Sequence, residues 1–591
     1  MSSTATIPTV EVEDHHYLTA EGSKPRATWR TLIILLLLAL PLRVYWMAQK
    51  TPVITVEGSE YVRMADSLIH GKGLIGNFEG PETMYTPLFS VLTAGMSMLT
   101  GKSELAAHLV SLLFGTALII PVFFIANKMY GPRVAVIAGL LVGFHPVLVK
   151  LAASIYNENV YLPLLMGGMY FTMEAFERPG IKNRVFAGLC FGFAYLTRPE
   201  AFAYPILLAG ALWLQTIVRS EKRVRAHLAA FLPLAIFLLL AVPYMAYLYR
   251  HTGHVRLEGK WNINYTIANR IRSGMEYNEA AYGLGQDLQP TGPLLDPFRF
   301  AAYTPYKSSL TDKLTTLFGM AKRNTQTVYS YLFYDRVISS PVIIGLIALA
   351  WFARAWNRRR LEQELIVFAM AGTLVFLILT SSNPEFRYLL GLIALSMLWI
   401  ARGIDEIRAW TVESASLLRL APSWLLRSSI GYCVQIACFV LILGIAERGA
   451  RSLFLFNCEQ QNFSSLKQAG VWLGDHGAAG KRIACASTVI TYYSKATIIG
   501  LPDASPNQAL SYIGSEHIDF VVLDSWSARD RPEEREWLRN GMPDSRATLV
   551  YQIGSNDAAQ VEVYRWDAQK LSTPSHSQDK GSERDTHMLP S

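Results

Sequence analysis

Charge is what this 591-residue chain has least of. Asp, Glu, Lys and Arg make up 17% of it and hydrophobic residues 51%, whereas a soluble domain carries about a quarter charged residues. The shortage excludes a disordered chain and does not fit a fully soluble enzyme. Everything after about residue 448 and one long internal stretch read as polar, so the remainder is strongly apolar, in runs that match membrane spans. Cysteine is scarce as well, at five. Cys190, Cys433 and Cys438 fall in apolar runs; only Cys458 and Cys485 share a polar region, and a disulfide between them is left open. A basic start followed by a short apolar run is missing too. Residues 1–28 are polar and acidic before Arg26 and Arg30, so the first span is expected to stay as an anchor rather than be cleaved. The net charge of +8 does not indicate nucleic acid, because no basic stretch interleaves with aromatics. Neither repeats nor inverted halves of the kind found in transporters are visible.

What is present is a series of apolar runs near 31–49, 105–127, 134–149, 160–176, 185–197, 201–218, 227–249, 338–353, 363–381, 389–401 and 429–446. They predict a polytopic α-helical membrane protein of about eleven transmembrane helices. The runs 185–197 and 389–401 are short for a crossing, but omitting either would scramble the charge pattern. With the N-terminus cytoplasmic, the clusters Arg219–Arg225, Arg354–Arg360 and Lys128–Arg133 lie inside, while the opposite short loops hold single cations such as Lys102, Lys150 and Arg387.

That topology puts three polar regions outside: 50–104, 250–337 and the C-terminal part. In the first, Tyr61, Met64, Ala65, Leu68 and Ile69 recur at helical spacing before Gly71 and Gly73, which predicts an amphipathic helix along the membrane surface. The run 85–100 is read as a second interfacial or re-entrant helix. The C-terminal part alternates helical runs (463–475, 507–516, 532–541) with β-rich runs (482–487, 520–524, 548–553, 561–566), a small extracytoplasmic α/β domain. The division is thus a cytoplasmic segment 1–28, a membrane domain 29–447, the α/β domain 448–570, and a polar tail 571–591 expected to be disordered.

The scarce charges at the outer boundary are the informative ones. Glu57 and Glu60 follow the first span, ahead of the surface helix; Glu158 sits beside Tyr156 and Asn157 in a very short loop; Arg198 and Glu200 end the fifth span; Arg387 precedes Tyr388 in another short loop. Glu60 has the alternative role of an acid near a helix N-terminus. Asn157, Tyr156, Tyr388 and Tyr85 are packing or hydrogen-bonding residues, or ligand contacts. His251 and His254 flank Gly253, and with a nearby carboxylate they leave a divalent metal open, although no His or Cys spacing is a metal signature.

These residues resemble the membrane-embedded C-type glycosyltransferases, in the branch of protein O-mannosyltransferases and the lipid A aminoarabinose transferase. The resemblance rests on an acidic residue leading into Glu-Tyr-x-x-x-Ala-x-x-Leu-x-x-Gly-x-Gly from Glu60 to Gly73, then Pro87-Leu88-Phe89, Tyr156 with Glu158, Tyr195 to Glu200, and Phe386-Arg387-Tyr388-Leu389-Leu390. It covers roughly residues 30–405. The first acidic position, usually Asp in the family, is Glu57 here; Thr86-Pro87 stands for Pro-Pro, and Gly391 for a Pro.

The resemblance implies a polyprenyl-phosphate sugar as donor and transfer to an acceptor hydroxyl at the outer face of a bacterial plasma (inner) membrane. On this reading Glu57 and Glu158 are the catalytic pair, with Glu57 the base. Arg387 first and Arg198 second bind the donor phosphate. Glu60, Tyr85, Asn157, Glu200 and Tyr388 are accessory. No organic cofactor is expected, the metal stays open, and the partners are membrane lipids, the donor and an acceptor that is glycan, lipid or protein. A lipid-linked-sugar flippase or other transporter is the alternative; it would be expected to place its charges mid-span, whereas the candidate charges here sit at one boundary.

Overall fold

The computed structural model describes residues 25–569 apart from breaks at 51–52, 79, 179, 220–223, 302–308, 334–339, 382–383, 419–422, 453–458 and 555–558. Helices form at every apolar run read from the sequence. Among the described residues seven helices are long and apolar enough to cross a membrane, or eight if the pair Pro132–Phe144 and Pro146–Ala153, bent by 54°, is one span. The bend falls at His145-Pro146, where proline removes a helical donor. Three further helices, Glu158–Glu177, Ile181–Thr197 and Pro341–Phe352, coincide with expected spans but fall short in length or apolarity.

The short run 389–401 is part of a much longer helix, Leu390–Leu417. Its charged second half escapes an apolarity reading because its charges pair within the helix: Arg402 with Glu406, and Arg408 with Asp405 at 3.0 Å. Helix Glu158–Glu177 fixes the ends of the bundle. Its 20 residues span about 30 Å, with Glu158 at one end and Glu174 and Glu177 at the other, where they pair with Lys128 at 2.5 and 2.7 Å.

Helix α1 (Pro25–Lys50) leads into α2 (Val56–Ile69), and α3 (Leu88–Thr100) turns through Gly101 into α4 (Ser103–Ala117), which continues as Ile119–Tyr130. Gly101 has φ 70°, a left-handed conformation that glycine adopts without strain. Helix α2 starts five residues earlier than its apolar spacing indicates, so Glu57 and Glu60 lie within it rather than ahead of it. The reason is Thr55, whose hydroxyl accepts the Gly58 N–H and caps the first turn. Helix α2 is also buried along most of its length, from Gly58 to Ser67, rather than exposed on one face.

The C-terminal unit covers it. Strands β1 (Arg482–Cys485), β2 (Thr497–Gly500), β3 (Phe520–Asp524), β4 (Ala547–Ile553) and β5 (Val561–Trp566) form one sheet in the order β2-β1-β3-β5-β4. The first three are parallel and the last two antiparallel additions. Strand β2 and the helix Thr488–Ser494 were not expected; both are short, and the tyrosine-rich helix carries no periodic pattern. Apolar side chains of α2 and its neighbours (Ile54, Tyr61, Met64, Phe89) share one core with Leu466, Ile490 and Val522 of the C-terminal unit. Ser59 and Thr488 hydroxyls lie 2.7 Å apart, and Thr488 donates to the Val56 carbonyl at 2.9 Å. The C-terminal unit therefore sits at the same end of the bundle as Glu158. Cys485 is a buried free thiol; Cys458 lies outside the described residues, as does the tail from 570.

Residues 250–337 are largely helical, at Trp261–Arg272, Tyr277–Tyr282, Pro297–Ala301 and Leu310–Phe333. They reach both halves. Asp503 N–H donates to the Tyr282 carbonyl at 3.0 Å, and the Arg531 guanidinium lies 4.8 Å from the Tyr282 ring centre.

Candidate active site

Four separate segments bring charge to one place. The first turn of α2 supplies Glu57, the start of helix Glu158–Glu177 supplies Glu158, the end of helix Ile181–Thr197 supplies Arg198, and the turn before Leu390 supplies Arg387. Arg387 is hydrogen-bonded to Glu57, lies 2.6 Å from Glu385 through Nε and 3.8 Å from Glu158 through an Nη. Arg198 is hydrogen-bonded to Glu158 and bonds Glu200 at 3.0 Å. The Tyr388 ring stands between the two guanidiniums, at 4.8 Å from Arg198 and 5.5 Å from Arg387. The side chains of Glu57 and Arg387 are each 15% exposed and that of Glu158 only 2%, so these charges interact in a poorly solvated setting.

A relay of hydrogen bonds fixes Glu57 from behind. Asn157 donates through Nδ2 to the Tyr61 hydroxyl at 2.6 Å, and that hydroxyl donates to Glu57 at 3.2 Å. Asn157 also donates to the Thr197 carbonyl at 3.2 Å. Asn157 is thus buried and linked to the cluster through Tyr61, which the sequence shows only as an apolar position of an amphipathic helix.

Glu60 is not among the groups bound to the arginines. Its Oε2 accepts the Asn77 N–H at 2.9 Å, and a Cβ placed on Gly76 would meet both Glu60 and Glu82 carboxylates. Burial first, and the Glu82 charge second, push its carboxyl up to about 8. Burial also raises Glu82, against the pull of the Met84 and Tyr85 N–H groups that it accepts.

A cation absent from the sequence reading lies between the two clusters. The Lys260 ammonium sits 4.0 Å from the centre of the Tyr85 ring, and Tyr85 in turn makes an edge contact with Tyr61 at 5.4 Å. Burial lowers Lys260, with Arg198 adding to it. Glu258 is pushed up to about 7 by burial and then by Glu200. A Cβ on Gly259 would fall 1.6 Å from the Thr83 carbonyl oxygen, so glycine alone lets the segment 258–260 lie on the Glu82–Tyr85 loop. Only its place in the polar stretch 250–337 pointed to this segment.

Among the described residues no three His, Cys, Asp or Glu side chains are grouped to hold a metal. His251 packs its ring on Tyr247 at 4.6 Å. Glu57 and Glu158 are each bound to a guanidinium of this chain.

The fold has counterparts among solved structures, and part of the chain matches a known family. Residues 84–247 match the dolichyl-phosphate-mannose-protein mannosyltransferase family. The stretch includes Tyr85, Asn157, Glu158, Arg198 and Glu200. The fold likeness is longer. An oligosaccharyltransferase from Archaeoglobus fulgidus, in complex with Zn and sulfate, superposes with a TM-score of 0.57 at 13% identity, over 90% of this chain and 73% of its own. ArnT from Cupriavidus metallidurans, bound to undecaprenyl phosphate, superposes with a TM-score of 0.51 at 11% identity, over 91% of this chain and 97% of its own. No curated protein matches the chain by sequence. The resemblance read from the motifs is upheld: the chain is an integral membrane protein with the C-type glycosyltransferase fold.

Proposed function

We propose that this glycosyltransferase, which takes its sugar from a lipid-phosphate donor, passes it to an acceptor hydroxyl at the cluster formed by Glu57, Glu158, Arg198 and Arg387. The observation that carries the reading is the Arg387–Glu57 pair, which joins the candidate phosphate ligand to the candidate base. The family match and the undecaprenyl phosphate bound to ArnT support a polyprenyl-phosphate donor. Such a donor keeps its chain in the bilayer and presents phosphate and sugar at the end of the bundle, where the arginines stand.

The phosphate is a good leaving group and needs its charge met rather than a proton. Arg387 is the first ligand, Arg198 the second, and Lys260 a third cation from the covering segment. Glu57 is a weak base while Arg387 holds it. A phosphate that draws Arg387 away releases the Glu57 carboxylate, which then takes the proton of the acceptor hydroxyl as its oxygen attacks the anomeric carbon. The bond to phosphate breaks as the new bond forms, so the anomeric configuration inverts. Glu158 stays bound to Arg198 and orients the acceptor side, Glu200 and Tyr388 hold the two arginines, and Asn157 holds Glu57 through Tyr61. Tyr85 seats Lys260.

We place the N-terminus in the cytoplasm and the C-terminal unit outside a bacterial inner membrane, on the charge pattern of the loops. The flippase alternative gains nothing from the Glu57, Glu158, Arg198 and Arg387 cluster, which lies at one end of the bundle. Purified protein in lipid bilayers, given polyprenyl-phosphate sugars and candidate acceptors, should release polyprenyl phosphate and form a glycosylated product. Movement of intact donor across the bilayer without cleavage would refute the proposal in favour of the flippase.

A further inference from the structure

A cavity of about 1220 Å³ lies on the other side of α2 from the arginine cluster. Helical geometry sets the two apart: at 100° per residue, Glu57 and Tyr61 share one face, and Arg63, Asp66 and His70 the opposite one. The floor is formed by Met47 and Ala48 in the last turn of the spanning helix α1 and by the start of α4, which opens another span. The roof belongs to the C-terminal unit, with Tyr492, Tyr493 and Lys495. The cavity is therefore at the level of a bilayer surface.

Cations outnumber acids in its lining. Arg63 of α2, Lys72 of the following loop, Lys102 of the α3–α4 turn and Lys495 of the C-terminal unit all line it. Of the two acids in the lining, Glu104 accepts the Tyr493 hydroxyl at 2.6 Å and is paired with Lys467 at 3.3 Å, while Asp66 accepts the Ser103 hydroxyl and sets one carboxylate against the four cations. Among the described residues none of the four cations is in an ion pair; Arg63 makes one long bond to the Ala496 carbonyl at 3.4 Å. An excess of positive charge contributed by four segments favours an anion in the cavity. Phe78, Leu105 and Tyr492 add apolar and aromatic wall beside them.

We propose that this cavity binds the phosphate-bearing headgroup of an anionic membrane lipid, at a site separate from the Glu57–Arg387 cluster, with the acyl chains leaving past Met47 and Leu105. Purified full-length protein in detergent, titrated with phosphatidylglycerol or phosphatidylcholine and read by native mass spectrometry, tests it. Phosphatidylglycerol should bind in preference, and millimolar inorganic phosphate should not displace it. Each lysine near a headgroup contributes about fivefold in affinity. The combined variant Lys72→Gln, Lys102→Gln, Lys495→Gln should therefore lose about a hundredfold, and its three side chains are exposed, so folding should be retained. Arg387→Ala should leave this binding unchanged. Equal binding of the two lipids, full displacement by inorganic phosphate, an unchanged triple variant, or an equal loss in Arg387→Ala would each overturn the proposal. The last would assign the lipid to the arginine cluster.

Discussion

Removing Arg198 should damage the protein more than removing its charge alone would indicate. Glu158 is 2% exposed, its Oε1 is bound by Arg198, and among the described residues its Oε2 has no hydrogen-bond partner. Breaking a buried ion pair from one side costs about 3–5 kcal/mol, because the other charge stays behind uncompensated. Arg387, 3.8 Å from the same oxygen, offsets part of that, which puts Arg198→Ala near the lower end, about 3 kcal/mol. Glu158→Gln removes the buried charge together with the attraction and should cost about 1 kcal/mol, the worth of an ordinary hydrogen bond. Once glutamine replaces the acid, Arg198→Ala should add only about 1 kcal/mol, giving a coupling of about 2 kcal/mol. Thermal unfolding of the four members of this double-mutant cycle in one detergent reads it directly. Additive effects of the two substitutions would refute the inference that these groups form one buried pair.

The Glu60 carboxyl, pushed up to about 8 from an ordinary 4.5 by burial and Glu82, keeps its proton in the folded protein where the unfolded chain has lost it. Stability should therefore fall as pH rises from about 4.5 to about 8 and level off above that. Glu60→Gln should flatten this fall when unfolding temperature is followed against pH; an unchanged slope would show that Glu60 is not held protonated. Thr488→Val removes the hydroxyl that bonds Ser59 and the Val56 carbonyl beside Glu57. Losing about 1 kcal/mol of positioning should lower kcat about fivefold with little change in donor KM, and Thr488→Ser should restore it; a loss confined to KM would contradict that role. Lys260→Ala should raise donor KM and leave the rate with saturating donor nearly intact, which steady-state kinetics with a lipid-phosphate sugar checks.

Much of this site was legible because a membrane chain has so few charges to place. Glu57, Glu158, Arg198 and Arg387 stood out at loop boundaries, and the structure brings them together. The division of labour between Glu57 and Glu60 was not legible. The two are three residues apart, and only the Thr55 cap, which starts α2 at Val56, fixes which one faces the arginines. Lys260, Glu258 and Glu82 come from polar loops without periodicity, and their meeting depends on a glycine contact between Gly259 and Thr83 that no spacing encodes. The long helix to Leu417 was cut short in the reading because hydropathy does not see Arg402 and Glu406 neutralising each other. The sheet was read in four of its five strands; β2, four residues long, was too short to stand out.

The central claim is that Glu57 takes the acceptor's proton once donor phosphate has drawn Arg387 away. Its most direct test is sugar transfer by Glu57→Gln, measured alongside donor binding in the same preparation. Transfer should be abolished, while the folded protein still binds the polyprenyl-phosphate sugar at least as tightly as the parent, since Arg387 is then no longer held by the Glu57 carboxylate. Transfer at the parent rate would contradict it.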